Sequence, residues 1–306
     1  MVTGNAFGYD RATTTGRENG GAPVFCVERL RYRYPQAQDR AVVDVSFTVA
    51  EGEIFGFLGP SGAGKSTTQK ILIRLLRDYE GRIEYRGADH RSLGNDFYQA
   101  IGVEFETPIA FSKLTALENL AFFAKLYRHS ADVEPLLQRV GLWPDKDKKV
   151  GEYSKGMKVR LNFVRALLNE PTMLFLDEPT SGLDPVNSRI VKDMIADFRA
   201  HGGTVFLTSH IMSDVDELCD RVAFVAHGKL TEIDAPHNLK LRYGKRTVTI
   251  EYEDGDETQT KVFAMEDLRT PEFHHLIDTK DIETIHSGES TLEDIFIHVV
   301  GERLDA

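Results

Sequence analysis

Cysteine and long apolar runs are scarce in this chain. Cys26 and Cys219 are the only cysteines among 306 residues, and they have no metal-binding spacing, which argues against a zinc site and a disulfide framework. We expect both to be buried thiols. No run approaches the roughly 18 uncharged apolar residues of a membrane helix, and the N-terminus has no apolar signal segment. These absences predict a soluble intracellular protein, so any membrane role must come from another chain.

The chain also lacks an excess of basic residues. Its formal net charge is −11, and residues 251–306 hold sixteen Asp and Glu against four Lys and Arg. The preceding 250 residues carry 33 basic and 32 acidic side chains, so they are close to neutral. Because a nucleic-acid groove needs a basic stripe, we expect no nucleic-acid partner. The acidic tail is either a solvated face or a dedicated acidic binding surface.

A phosphate-binding loop is the strongest positive signal. Residues 59–66 follow the pattern G-x-x-x-x-G-K-[ST], after a short apolar run and before apolar residues at helical spacing. The glycines let backbone N–H groups curl around phosphate oxygens, and the helix N-terminus adds a partial positive charge. We expect Lys65 to reach the β- and γ-phosphates and Ser66 to hold Mg²⁺. The pattern predicts a nucleoside triphosphate site formed by Gly59, Pro60, Ser61, Gly62, Ala63, Gly64, Lys65, Ser66 and Thr67.

Two carboxylates follow a second apolar run. Residues 173–176 predict a buried strand, and Asp177 and Glu178 come at its carboxyl end, where open α/β sheets bind their ligands. Alone, this pattern is more often a strand that ends in solvated acids. Beside a phosphate-binding loop it supplies what phosphoryl transfer still needs, because Asp177 can hold Mg²⁺ and Glu178 can polarise the attacking water. The sequence therefore predicts hydrolysis of the bound nucleotide.

Strand and helix patterns alternate along most of the chain. Strand patterns at 45–49, 81–85, 101–105, 173–176, 204–207 and 222–225 alternate with helical ones, which predicts an α/β fold with a doubly wound parallel sheet. A helical insertion over about 107–169 interrupts the alternation. We expect a flexible arm over residues 1–23, a nucleotide-binding domain over 24–237, and a small α+β domain over 238–306.

These motifs resemble the ATP-binding subunits of ABC transporters over roughly residues 24–237. The run Tyr153-Ser154-Lys155-Gly156-Met157 is similar to the family signature LSGGQ, and Ser154 is placed to cap the helix that follows. Residues 181–184 are similar to the D-loop, and residues 208–210 to the segment that carries the switch histidine. Tyr34 matches the aromatic residue that stacks on adenine, with Tyr32 as the alternative.

The resemblance implies an ABC cassette, with a RecA-like parallel sheet core, an antiparallel β subdomain and a helical subdomain. It implies an ATPase that uses ATP and Mg²⁺, with Glu178 and His210 as catalytic residues. It also implies a separate transmembrane permease subunit, contacted near residues 107–126, which would hold the chain peripherally on the cytoplasmic face of the membrane. The residues implied to act across a homodimer interface, on the nucleotide of the second subunit, are Ser154, Lys155, Gly156, Met157 and Asp184.

The chain departs from the family pattern at two motifs. The Q-loop glutamine aligns with Glu106, whose carboxylate can still ligate Mg²⁺ but adds negative charge beside a triphosphate. The signature keeps its serine and its second glycine, but it has Tyr153, Lys155 and Met157 at the other positions. We expect the chain to retain ATPase activity despite these departures. The implied magnesium ligands are Ser66, Asp177 and Glu106.

The C-terminal segment indicates which subfamily of ABC ATPases this chain resembles. Strand patterns at 246–252, 259–263 and 281–285 surround a helix near 271–277, in which His274 and His275 are expected at the surface. A last helix begins at Ser290 with a Ser-x-x-Glu capping box. Its start resembles the Leu-Glu-Asp-Val-Phe ending of daunorubicin-exporter-type ATPases, which partner membrane subunits of the ABC-2 exporter class.

A soluble ABC ATPase that acts on nucleic acid or the ribosome is the alternative. Families of that kind have paired cassettes or long coiled-coil insertions. This chain has one cassette, no extended heptads and no basic stripe, which favours the exporter. The resemblance places the choice of cargo in the membrane subunit, so this sequence does not identify it.

Overall fold

The computed structural model describes residues 23–255 and 257–301. They form two compact units, which meet in sequence at Ile233 and Asp234. The predicted flexible arm lies outside the described residues except for Pro23, which begins the first strand. The domain limits predicted at 24–237 and 238–306 stay a prediction.

The first unit contains a mostly parallel sheet, an antiparallel sheet and seven described α-helices. Its strands are β1 (Pro23–Tyr32), β2 (Val42–Ala50), β3 (Ile54–Leu58), β4 (Glu80–Tyr85), β5 (Ala88–Asp89), β6 (Ile101–Glu104), β7 (Met173–Asp177), β8 (Thr204–Ser209), β9 (Arg221–Ala226) and β10 (Lys229–Asp234). Its helices are α1 (Lys65–Leu72), α2 (Asp96–Ala100), α3 (Ala116–Ala124), α4 (Val133–Arg139), α5 (Lys155–Ala166), α6 (Pro185–Ala200) and α7 (Met212–Leu218).

The main sheet has the strand order β10-β9-β3-β8-β7-β6. Strand β3 pairs in parallel with β8 and β9, and β7 pairs in parallel with β6 and β8. Every residue of β3, β7 and β8 is buried, as expected for central strands covered on both faces. The predicted α/β core is thus confirmed. Because parallel strands end at one edge, the segments after β3, β6, β7 and β8 converge there.

The antiparallel sheet has the order β2-β1-β4-β5. Strand β2 alternates buried and more exposed residues, as the predicted strand at 45–49 requires. Its inward Phe47 stacks on Phe55 of β3 at a centroid distance of 5.5 Å and on Phe206 of β8 at 6.1 Å. These aromatic contacts join the two sheets into one core.

The helical insertion is confirmed between β6 and β7, where α3, α4 and α5 lie. Ser154 caps α5 as predicted, since its Oγ accepts a hydrogen bond from the backbone N–H of Met157 at 3.2 Å. Tyr153 is buried and donates its hydroxyl proton to the carbonyl of Asp145 at 2.8 Å. Burial raises the pKa of Tyr153 to about 12. This signature position therefore has a structural role here.

The second unit is a small α+β arrangement. It contains α8 (Pro236–Tyr243), β11 (Arg246–Asp254), β12 (Glu257–Ala264), α9 (Pro271–Thr279), β13 (Asp281–Glu289) and α10 (Leu292–Val300). The antiparallel sheet has the order β12-β11-β13. Its core consists of Val248, Ile250, Phe263 and Leu276.

The prediction that Ser290 caps the last helix is wrong by one residue. Thr291 is the cap: its hydroxyl accepts from the N–H of Asp294 at 3.1 Å, and the Asp294 carboxylate accepts from the N–H of Thr291 at 2.8 Å. Ser290 instead accepts a hydrogen bond from the backbone N–H of Lys245 at 2.9 Å. Ser290 thus bonds to a residue 45 positions away in sequence, a contact that a local pattern could not reveal.

Several smaller expectations concern exposure. Cys219 is buried as expected, whereas Cys26 is only half-buried, and both thiols are free. His274 and His275 are exposed, as predicted. Within the described ranges, none of the helices combines the length and apolar character needed to cross a membrane.

Candidate nucleotide-binding site

The phosphate-binding loop joins β3 to α1, as the sequence predicts. Gly64 has a φ of 100°, in the left-handed region that favours glycine, and a Cβ there would collide with the carbonyl of Ala41. A Cβ on Gly59 would collide with the carbonyl of Val225. Ser61 and Gly62 are exposed at the tip, whereas Pro60 and Ala63 are buried. Backbone packing thus requires glycine at both ends of the loop and leaves its tip open.

Lys65 is buried at the start of α1. Its Nζ donates to the carbonyl oxygens of Gly59 at 2.6 Å and Pro60 at 3.1 Å, and it lies 3.8 Å from Glu178 Oε1. Burial lowers the pKa of the Lys65 ammonium, whereas the nearby carboxylates of Glu178, Asp177 and Glu106 oppose that shift. An ammonium has three N–H donors, so one remains for the carboxylate or for a phosphate.

The expected magnesium ligands Ser66 and Asp177 lie together. Ser66 Oγ is 3.1 Å from Asp177 Oδ1, which also accepts a hydrogen bond from the Thr208 hydroxyl. A hydroxyl beside a carboxylate is an oxygen donor set that suits Mg²⁺. Glu106 is exposed on the loop after β6 and lies close enough to influence Lys65 electrostatically. The residues present therefore fit a Mg²⁺ ion delivered with a triphosphate.

Glu178 and His210 form a pair at the same edge of the sheet. His210 Nδ1 lies 2.8 Å from Glu178 Oε2, and the backbone N–H of His210 donates to that oxygen at 3.2 Å. Glu178 has a φ of 55°, which is strained for a residue with a side chain, and its N–H donates to the carbonyl of Thr208 at 3.1 Å. The strained backbone directs the carboxylate toward both Lys65 and His210. A carboxylate held in this way can accept a proton from water.

Tyr34 and Tyr32 have different environments. Tyr34 is 37% exposed, and its hydroxyl lies 3.2 Å from Thr67 Oγ1 of α1. Tyr32 is 7% exposed and packs edge-on against Tyr34 at 5.0 Å between ring centroids. Only Tyr34 therefore has an open ring beside the phosphate-binding helix, which favours it as the adenine-stacking residue.

The signature residues lie apart from the phosphate-binding loop. Ser154 and Lys155 are exposed, while Gly156 and Met157 are half-buried. Within the described chain, no hydrogen bond or ion pair joins these four residues to residues 59–67. A role on a nucleotide would thus need a second copy of the chain.

Asp184, the predicted D-loop residue, caps α6. Its carboxylate accepts hydrogen bonds from the N–H groups of Val186 at 3.1 Å and Asn187 at 3.0 Å. The bonds from Asn187 and Val186 lower the pKa of Asp184. Asp184 therefore has a structural role within its own chain, whatever it contacts elsewhere.

Sequence reasoning missed two features of the site. Thr208 supports Asp177 from the neighbouring strand β8, and its one signal was a hydroxyl at the end of an apolar run. Glu104 and Asn162 are buried polar residues beside the Q-loop. A charged residue inside the apolar pattern of β6 was the available signal for Glu104, whereas Asn162 gave none.

Two family models match this chain. The model described as ABC transporter matches residues 42–181. The model described as Fluoroquinolone efflux ABC transporter C-terminal domain matches residues 246–289. The two matches fall in the first and second units respectively.

Individual relatives and solved structures agree. A fluoroquinolones export ATP-binding protein of Mycobacterium tuberculosis is 50% identical over 96% of this chain and 98% of its own length. The bacitracin transport ATP-binding protein BcrA of Bacillus licheniformis is 33% identical over 86% of this chain and 93% of its own length. The structure of an ATP-binding subunit of an ABC transporter matches with a TM-score of 0.65 and 27% identity, over 72% of this chain and 93% of that one.

A dimeric ATP-binding cassette, MJ0796, bound to ADP and Pi in a post-hydrolysis state, shares the fold with a TM-score of 0.63 at 24% identity, over 69% of this chain and 98% of that one. The family of this chain follows from its fold, from the loop and carboxylates that the fold brings together, and from relatives that match over nearly their full length. This chain belongs to the ATP-binding subunits of ABC transporters, and it is an ATPase that uses ATP and Mg²⁺.

Proposed function

We propose that this chain is the ATPase of an exporter, in which two copies close head to tail around two Mg-ATP and drive a separate membrane subunit. The observation that carries the proposal is the position of Glu178. Its carboxylate lies between Lys65, at 3.8 Å, and His210, at 2.8 Å, directly after Asp177. Phosphoryl transfer depends mainly on such positioning and on neutralised charge.

Each side chain then has a distinct task. Lys65 neutralises charge on the β- and γ-phosphates, while Ser66 and Asp177 hold the Mg²⁺ that arrives with the substrate. Glu178 takes the proton of the attacking water, and His210 fixes the orientation of the Glu178 carboxylate. The strained backbone of Glu178 keeps the carboxylate in place before the substrate arrives.

The signature residues act on the nucleotide of the second copy. Helix α5 begins at Lys155 and runs for 12 residues, so its N-terminus carries a partial positive charge suited to a phosphate. Ser154 and Lys155 are exposed at that end, where a second copy can reach them. The cap holds the Ser154 hydroxyl beside the helix N-terminus, where it accepts the N–H of Met157.

The membrane subunit docks on the helical insertion. Four large apolar side chains within residues 107–126 are exposed, and they are Ile109, Phe111, Phe122 and Leu126, with exposures of 46–63%. An exposed apolar patch of this kind marks an interaction surface. It directly follows Glu106, so the docking surface is continuous in sequence with the nucleotide site.

Fluoroquinolones are the first cargo to test. The relative from Mycobacterium tuberculosis is named for their export, and its similarity covers 98% of its length. The second unit carries the C-terminal domain named for fluoroquinolone efflux. BcrA is named for transport of bacitracin, another antibacterial compound. We infer export of antibacterial drugs, with the cargo selected by the membrane subunit.

The test is drug transport by the assembled transporter. Inverted membrane vesicles with this chain and its co-purified membrane subunit should accumulate a fluorescent fluoroquinolone when Mg-ATP is added. Vesicles with the Lys65→Ala variant are the control and should not accumulate it. ATP hydrolysis without a co-purifying membrane protein, together with binding to ribosomes or DNA duplexes, would favour the alternative of a soluble ABC ATPase.

A further inference from the structure

A lysine midway along helix α6 forms two ion pairs with helix α7. Lys192 Nζ lies 3.1 Å from Asp214 Oδ1 and 2.5 Å from Glu217 Oε2. The side chains of Lys192 and Asp214 are only 14% and 13% exposed. None of the roles assigned above uses these three residues.

The pair of Lys192 with Asp214 is the central link between the two helices. Arg189, one turn before Lys192, adds an ion pair from its Nη1 to Glu217 Oε1 at 2.8 Å, but both of these side chains are well exposed. Exposed ion pairs contribute little to stability, whereas loss of one partner from a buried pair leaves the other charge without compensation. We therefore expect the Lys192–Asp214 pair to do most to hold α7 against α6.

Both helices begin beside segments with predicted roles on the nucleotide. Helix α7 begins at Met212, two residues after His210, and Asp214 lies in its first turn. Helix α6 begins directly after Asp184, the predicted D-loop residue. The Lys192–Asp214 pair thus connects the helix that follows the switch histidine to the helix that follows the D-loop.

The position of His210 depends on the backbone that leads into α7. The His210 side chain is 43% exposed, and in the described part of the chain its one contact at hydrogen-bonding distance is with Glu178 Oε2, at 2.8 Å. Ile211, the residue after it, caps α7, and its N–H donates to Ser209 Oγ at 2.9 Å. A shift of α7 would therefore move the imidazole relative to the Glu178 carboxylate.

We propose that Lys192 is a positioning residue for His210, because its ion pair with Asp214 fixes helix α7 against helix α6. The inference rests on the proposed role of His210, which is to fix the orientation of the Glu178 carboxylate. It adds that the helix after the D-loop determines where this histidine stands. Among the described residues, Lys192 forms no hydrogen bond or ion pair with residues 59–67 or with Glu178, so it acts on hydrolysis through α7.

The experiment measures kcat and KM for ATP in purified variants, with and without His210→Ala in the same chain. Lys192→Met keeps the length of the side chain but removes its charge. It should lower kcat about 10- to 100-fold, since a misplacement of about 1 Å can cost about 10²-fold. The KM for ATP should stay within about twofold, because no contact to the phosphates is lost. In the His210→Ala background, Lys192→Met should change the single-turnover rate by less than about twofold, because the side chain that it positions is gone.

Three further variants test the charge of the pair. Asp214→Asn should lower kcat to a similar extent, and the double variant Lys192→Met/Asp214→Asn should be no slower than the slower single variant, because the two residues act as a unit. Lys192→Arg should keep kcat within about threefold of the wild type, since a guanidinium retains the charge and offers N–H donors to both carboxylates.

Arg199→Met is the matched control. Arg199 also lies on α6, and its Nη2 is 2.6 Å from Asp220 Oδ1. Asp220 directly precedes β9 and His210 directly follows β8, so this ion pair lies at the opposite edge of the parallel sheet from the histidine. Arg199→Met should lower the melting temperature, as Lys192→Met does, while its kcat stays within about twofold of the wild type.

Equal fold-losses from Lys192→Met with and without His210 would overturn the proposal. A kcat loss of the same size in Arg199→Met, or a wild-type kcat in Lys192→Met, would also overturn it. Failure of the His210 role has a different signature, since His210→Ala itself would then hydrolyse ATP at the wild-type rate. If Lys192→Met does not fold, which circular dichroism would show, Asp214→Asn in both backgrounds makes the same comparison.

Discussion

Lys65 has two sets of partners within its own chain, the carbonyls of its loop and the carboxylate of Glu178. Both lie within 4 Å of its Nζ. A bound triphosphate would add ionised oxygens, which form short and strong hydrogen bonds with an ammonium. At the scale of single residues, the charged side chains Lys65 and Glu178 are therefore already in position beside the phosphate-binding loop.

Lys65→Ala should weaken nucleotide affinity and hydrolysis together. The change removes a charged donor from the β- and γ-phosphates, a loss of about 1.5–3 kcal/mol for a hydrogen bond to a charged group. Calorimetry with Mg-ATP checks the binding, and circular dichroism checks that the variant folds. Unchanged affinity would mean that another cation holds the phosphates.

Glu106→Gln tests the departure at the Q-loop. The carboxylate repels the triphosphate but attracts the metal, so hydrolysis should stay within roughly tenfold, since the partly offset charge is worth about 1 kcal/mol at an intermediate dielectric. The apparent affinity for free Mg²⁺ should fall more than the maximal rate. ATPase activity titrated with Mg²⁺ at fixed ATP measures this, and superimposable titrations would assign Glu106 a structural or membrane-coupling role.

At the scale of elements, His90 connects the end of helix α1 to Tyr79, the residue before strand β4 of the antiparallel sheet. Its Nε2 donates to the carbonyl of Leu72, the last residue of α1, at 2.9 Å, and its Nδ1 lies 3.0 Å from the hydroxyl of Tyr79. His90 is 1% exposed. A neutral imidazole with its proton on Nε2 satisfies both contacts, since Nδ1 can then accept from the Tyr79 hydroxyl.

His90 should make the fold less stable in acid. Burial lowers the pKa of His90, with the charges of Arg74 and Arg91 adding to the shift and the bond to Leu72 opposing it. The unfolded chain then binds the proton more readily, so stability falls as the pH drops from about 6.5 toward the lower folded pKa. Urea unfolding at several pH values should show that slope in the wild type and a smaller slope in His90→Gln. Equal slopes in the wild type and in His90→Gln would show that His90 does not cause the loss of stability in acid.

The elements also show what sequence alone can reveal. The strand that ends at Asp177, the helix capped by Ser154 and the loop at 59–66 all have strong local patterns, and each was predicted correctly. The cap of α10 was misplaced because Ser290 bonds to Lys245, 45 residues away. The hydrogen bond from Asn162 to the carbonyl of Phe105 was missed for the same reason, since contacts between distant segments leave no periodic signal.

At the scale of the whole molecule, the chain consists of an ATPase unit and a small acidic unit. The ATPase unit contains the phosphate-binding loop and the signature helix, which we propose to be the two halves of a nucleotide site, and no bond joins them in the described residues. Two copies arranged head to tail would complete both sites. The family resemblance already implied that the signature residues act on the nucleotide of a second copy, and the lack of a bond between these motifs in the described residues agrees with that prediction.

The oligomeric state of the Glu178→Gln variant tests most directly whether two copies close around Mg-ATP. Gln keeps the size of the side chain but removes the charge that polarises water, so turnover should fall by about 10²–10⁴ while ATP binding persists. Light scattering after size exclusion should show a dimer in Mg-ATP and a monomer without it, and the double variant Lys65→Ala/Glu178→Gln should remain a monomer in both. Near-normal steady-state ATPase activity in Glu178→Gln, or a monomer that binds ATP without dimerising, would contradict the account.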